Sequence, residues 1–112
     1  MPDKDYELVL DGALDNPTDL LRVRIVTDRG EVVDFIAQFE TIIEGQHYPV
    51  VRYDGSHGRG HRDLLNRRGE TVDKDWLAEH LTLGQALTFG VKDITANWPL
   101  YRDAFLTRER FD

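Results

Sequence analysis

His57 and His61 stand four residues apart in the stretch Gly55-Ser56-His57-Gly58-Arg59-Gly60-His61, bracketed by Asp54 and Asp63. Imidazole gives and takes protons near neutral pH, so two of them together are natural material for general acid and base catalysis. Arg52, Arg59 and Arg62 surround the pair, and guanidinium groups recognise phosphate through paired N–H donors. Three glycines in six residues make a loop that can turn tightly, admit a ligand or offer its amides to an anion. Read as an active site, His57, His61, Asp54 and Asp63 form the catalytic set. Arg52, Arg59, Arg62 and Lys74 then bind the substrate. Metal-independent RNA cleavage needs such a set: a base for the ribose hydroxyl, an acid for the leaving oxygen and a cation for the charge that develops.

Two other readings use the same residues. His57, His61 and Asp63 supply two imidazoles and a carboxylate, a ligand set used by zinc and by non-haem iron. Histidines at i and i+4 converge on a helix, however, and these two lie across a turn. The structural reading has Asp54 bonding the loop amides, Asp63 pairing with an arginine and Lys74 solvated. His47 and His80 show no partner pattern and read as surface or packing residues. Trp76, Trp98 and Tyr101 read as core rather than as a base-stacking platform.

The charge pattern singles out the same segment. The 112 residues carry 14 Lys and Arg against 21 Asp and Glu, a net charge of −7. Residues 52–68 hold five arginines and two aspartates, 5 − 2 = +3, which leaves −10 for the remainder. The acidic average excludes a general nucleic-acid coat but leaves room for one phosphate-sized site. The absence of cysteine excludes a disulfide framework, a thiolate metal site and a cysteine nucleophile. No organic cofactor is expected. The charged start Met1-Pro2-Asp3-Lys4-Asp5 is unlike a signal peptide and no run is long enough to span a bilayer, so the expectation is a cytoplasmic protein away from membranes.

The elements that must hold these residues fall into two halves of one α+β domain, residues 1–112: strand-rich over 5–72 and helical over 73–110. Tyr6–Leu10 is a short apolar run. Leu21, Val23 and Ile25 alternate with Arg22 and Arg24, and Val33, Phe35, Ala37 and Phe39 share a face across Glu31–Ile43. Asp28-Arg29-Gly30 and Glu44-Gly45-Gln46 are turns. Tyr48–Asp54, His61–Asn66 and Glu70–Val72 complete an antiparallel meander of about five to six strands, because turns this short leave no room for parallel crossovers. After Val72 the period lengthens. Asp73 or Asp75 caps a short helix carrying Trp76 and Leu77. Thr82 and Gln85 make a capping box for a second, with Leu83, Ala86, Leu87, Val91 and Ile94 as its core stripe. Asn97-Trp98-Pro99 is expected to interrupt that helix before a last one carrying Tyr101 and Phe105.

Arg52-Tyr53-Asp54, His57-Gly58, His61 and Asp63, followed by Lys74, Trp76-Leu77 and Asn97-Trp98, resemble a group of small bacterial and archaeal proteins built around such a hairpin. The hairpin is also similar to that of the TumE-type toxin components of toxin and antitoxin pairs. The likeness covers roughly residues 48–105, with Leu64-Leu65-Asn66 where the toxin type continues into a histidine-lysine-histidine stretch. The resemblance implies an α+β protein acting on RNA or a nucleotide, or seated with a protein partner encoded beside it. Its site would comprise Arg52, Asp54, His57, His61 and Asp63. The alternative is a non-enzymatic interaction protein that forms a homodimer through a sheet edge or the aromatic helix.

Overall fold

The computed structural model describes residues 3–111, with side chains to residue 108. The expected start at Met1 and Pro2 lies outside the described residues. Strands β1 (Asp3–Val9), β2 (Asp19–Asp28), β3 (Glu31–Ile43), β4 (Gln46–Asp54), β5 (His61–Leu65) and β6 (Thr71–Trp76) precede one helix, α1 (Leu83–Phe111). The strands pair in chain order as a single antiparallel sheet. This is the expected α+β meander.

The tight hairpins follow from their turn residues. Arg29 and Gly30 have φ of 53° and 80°, and Glu44 and Gly45 have 52° and 80°. Two left-handed residues in succession match the twist of the flanking strands. The register between β2 and β3 shifts at Val26/Thr27, leaving Val33 as the extra residue of a bulge. Alternation therefore reverses there: Val32 packs against the core while Val33 is exposed, a correction to the face expected for Val33.

The core forms where one sheet face meets the helix. Leu21, Val23, Phe35, Ala37, Phe39, Val51 and Tyr53 pack against Ala86, Leu87, Ile94 and Phe105. The helix crosses β3, β4 and β5 and sits close. A Cβ on Gly90 would lie 2.7 Å from Tyr53 Cγ, and one on Gly60 would lie 2.6 Å from the Ala86 Cβ. Its start is the expected capping box: the Thr82 amide donates to Gln85 Oε1 at 2.9 Å, and the Gln85 amide to Thr82 Oγ1 at 3.1 Å.

Two expectations for the C-terminal half are corrected. Asp73, Asp75 and Trp76 belong to edge strand β6, where pairing with β5 outweighs the helical spacing of the apolar residues. Helix α1 also runs through Pro99 without a break. Proline removes the N–H that would bond the Thr95 carbonyl, but Thr95 and Pro99 are both exposed, so water can take that carbonyl.

Candidate functional site

Strand pairing sorts the polar residues of β4, β5 and β6 onto two faces. Asp54 lies opposite His61 and Arg52 opposite Asp63; Asp63 in turn faces Lys74, and His61 faces Trp76. These six share the face that the helix leaves open. Tyr53, Arg62 and Asp75, one residue out of phase, share the helix-covered face.

On the open face, His61 Nε2 lies 3.2 Å from Asp54 Oδ1 and 3.5 Å from Asp63 Oδ2. His61 and Asp63 are only 2% and 6% exposed. Lys74 Nζ stands 3.8 Å from the other Asp63 oxygen, and the His61 ring packs against Trp76 with centroids 5.0 Å apart. Asp54 also accepts from the Ser56 amide at 3.1 Å and the Ser56 hydroxyl at 2.9 Å. All these contacts fall on Oδ1. Two buried atoms of the cluster, His61 Nδ1 and Asp63 Oδ1, have no hydrogen-bond partner.

Asp54 also lines a trough of about 580 Å³ across the open face, together with Arg22, Arg24, Ile36, Gln38, Arg52 and residues of β1. Its Arg22, Gln38 and Arg52 belong to a ladder of polar side chains. Glu40 accepts from Arg22 Nε at 3.0 Å and from Gln38 Nε2 at 2.7 Å, and Gln38 accepts from Arg52 Nε at 2.7 Å. Glu40 also holds His47 Nδ1 at 3.1 Å, so His47 has a partner that its sequence context did not reveal.

The remaining expected site residues lie elsewhere. His57 is exposed, in a short 3-10 turn at Ser56–Gly58 with left-handed backbone at φ 66° and ψ 18°. Among the described residues, the side chains whose ligand atoms converge are Asp54, His61 and Asp63. Asp54 thus takes the place expected for His57. The Arg59 guanidinium donates twice to the Leu77 carbonyl, at 3.0 and 2.9 Å, and lies over Trp76. Trp76 itself is 48% exposed, a correction to its reading as core.

Arg62 turns to the helix side, where it bonds the Tyr101 hydroxyl at 3.1 Å and pairs with Asp75. Asp93 on α1 accepts from Tyr53 at 2.6 Å, from Tyr101, and from Asn97 at 2.7 Å. Burial first, then the hydrogen bond to Asp93, pushes both tyrosine hydroxyls above their usual range. Burial opposes the Arg62 charge, but its contacts with Tyr101, Tyr53 and Asp75 more than offset this and raise its value. Sequence reading missed this cluster, because Tyr53 and Asp93 are 40 positions apart and Asp93 belongs to no motif. The one available signal is Asp93 with Asn97 and Tyr101, which share a helix face at i, i+4 and i+8.

The family model described as "Domain of unknown function (DUF7718)" matches residues 1–111, and the chain belongs to that family. No curated protein matches it, and no solved structure does.

Proposed function

We propose that this member of the DUF7718 family acts on RNA or a nucleotide held in the open-face trough, as a toxin-like component with a protein partner encoded beside it. One observation carries the reading: Asp54, which lines a trough that also holds Arg52, is linked through His61 to Asp63 and Lys74. A carboxylate oxygen and an arginine then meet a phosphate-bearing ligand within one concave surface.

In RNA cleavage the ribose 2′-hydroxyl attacks the adjacent phosphorus and the bond to the 5′ oxygen breaks, giving a cyclic phosphate and a free 5′-hydroxyl. Asp54 takes the 2′ proton, and His57, on the exposed loop, gives a proton to the departing oxygen. Arg52 and Lys74 offset the charge that builds on the phosphate oxygens. His61 and Asp63 lie behind Asp54 as positioning residues, since His61 is too buried to meet substrate.

The test is cleavage of end-labelled RNA by untagged protein. Asp54→Asn and His57→Asn are each expected to lower the rate about 10²-fold or more. Equal cleavage by both variants would overturn the assignment.

A second reading, homodimerisation, is favoured by the β1 edge, where Tyr6 and Leu8 are 39% and 42% exposed. Light scattering of Leu8→Arg beside the parent chain tests it: a mass that halves supports it, and an unchanged monomer mass removes it.

A further inference from the structure

We infer that Asp54, His61 and Asp63 form a binding site for one divalent transition-metal ion, of the Mn²⁺ to Zn²⁺ type. One ligand atom from each residue lies within 4.8 Å of the other two. The distances fit a shared ion: metal bonds of about 2.1 Å place neighbouring ligands about 3.0 Å apart at right angles and about 3.4 Å apart at the tetrahedral angle. His61 Nε2 is 3.2 Å from Asp54 and 3.5 Å from Asp63.

The second line of argument is unmet bonding. Asp63 is more than nine-tenths buried and its Oδ1 accepts no hydrogen bond. Lys74 Nζ stands 3.8 Å from that oxygen, with a side chain 44% exposed. Two carboxylates therefore converge on one imidazole, and a single Nε2 proton cannot serve both well. An ion at that point bonds the Nε2 lone pair, Asp54 and the Asp63 carboxylate through both of its oxygens, which serves the unpartnered Oδ1 and replaces one proton by two positive charges. The donor set selects the metal. One nitrogen with carboxylate oxygens suits manganese, iron and zinc, whereas calcium and magnesium prefer oxygen alone.

Rigid strands hold the ligands. Asp54 and His61 are a cross-strand pair on β4 and β5, and Asp63 follows His61 on the same face. Asp54 also lines the trough that holds Arg52, so a bound ion would lie behind the wall that a phosphate on Arg52 would meet. The binding claim stands on this geometry alone. It rests on the RNA reading only for the identity of the ligand in the trough.

Untagged protein, stripped with chelator and exchanged into chelator-free buffer, is titrated with MnCl₂ and with ZnCl₂, by calorimetry and by the Mn²⁺ electron-spin signal. One ion per chain is expected, zinc tighter than manganese. His61→Ala and Asp63→Asn should each weaken binding about 100-fold or more, beyond what loss of a supporting contact costs. His47→Ala should leave it unchanged. Because a buried change can unfold the chain, Asp54→Asn is the second variant: its partly exposed side chain keeps its shape, and about 10-fold weaker binding is expected. Binding weaker than about 1 mM, or binding that survives both His61→Ala and Asp54→Asn, overturns the inference. Metal uptake by a protein that leaves RNA intact would defeat the RNA reading while the ion site stands; RNA cleavage without metal uptake would do the reverse.

Discussion

The two faces of strands β4, β5 and β6 carry polar clusters of similar size made from neighbouring residues. On the helix side, Asp93 takes three donors and Arg62 bridges Tyr101 to Asp75. On the open side, two carboxylates press on one imidazole, two buried atoms lack partners, and Asp54 lines a trough. The helix-side cluster has spent most of its hydrogen-bonding capacity on the fold, although Arg62 Nε is buried without a partner and the cluster lines a cavity of about 340 Å³. The open-side cluster leaves its unmet bonding on His61 and Asp63, side chains of metal-ligating type. A buried polar group without a partner is costly, and such costs gather where a site serves a ligand.

If this contrast holds, damage on the helix side should appear as lost stability and damage on the open side as lost activity. The largest effect is expected for Asp93→Ala, which strands the Tyr53, Tyr101 and Asn97 donors and should cost about 3 kcal/mol in urea melts. RNA cleavage by the fraction that stays folded should be unchanged. Asp54→Asn reverses the pattern: cleavage falls about 10²-fold, equivalent to about 2.7 kcal/mol of barrier, with little change in melting. If Asp54→Asn instead destabilises the chain as much as Asp93→Ala, the open face is scaffold too.

Gly90→Ala should cost about 2 kcal/mol, because the new methyl group meets the Tyr53 ring within an already close contact; thermal melts measure it. High pH provides a gentler probe. Tyr53 and Tyr101 are raised above their ordinary value in the folded chain, so below about pH 10 their contribution is fully present. Above that the unfolded chain releases protons that the folded chain retains, and stability declines as pH rises. Melts from neutral to alkaline pH should show this fall, and Tyr53→Phe should flatten it. Smallest in stability is His57→Asn, at a few tenths of a kcal/mol, since asparagine tolerates the left-handed backbone. Its cleavage should nonetheless fall, separating the loop's chemistry from its shape.

Much of this contrast was legible in the chain and some was not. Arg52, Asp54, His61 and Asp63 were readable as neighbours because a two-residue period and a short connection fix cross-strand pairs. Arg62, by the same period, belongs on the opposite face. His57 could not be placed, since a glycine-rich loop has no period to read. Trp76, beside the cap-like Asp73 and Asp75, reads locally as helical, yet β6 needs it as the partner of His61. Pro99 was read as a break because local rules cannot see that Thr95 would face solvent. Lys74 was read as most often solvated, and only pairing of β6 with β5 brings it to Asp63.

By itself the sequence determined the α+β class, the meander, the start of the helix and the hairpin that gathers charge at residues 52–68. Each of these is written in local periods, turn residues and caps, whose physics reaches only a few residues along the chain. The tertiary structure decided which face of the hairpin the helix would cover. That choice joined Tyr53 to Asp93 across 40 positions of sequence and left Asp54 on the trough with His61 and Asp63 buried behind it. Helix placement depends on close packing of Gly90 on Tyr53 and of Ala86 on Gly60, contacts between distant residues that no local pattern encodes.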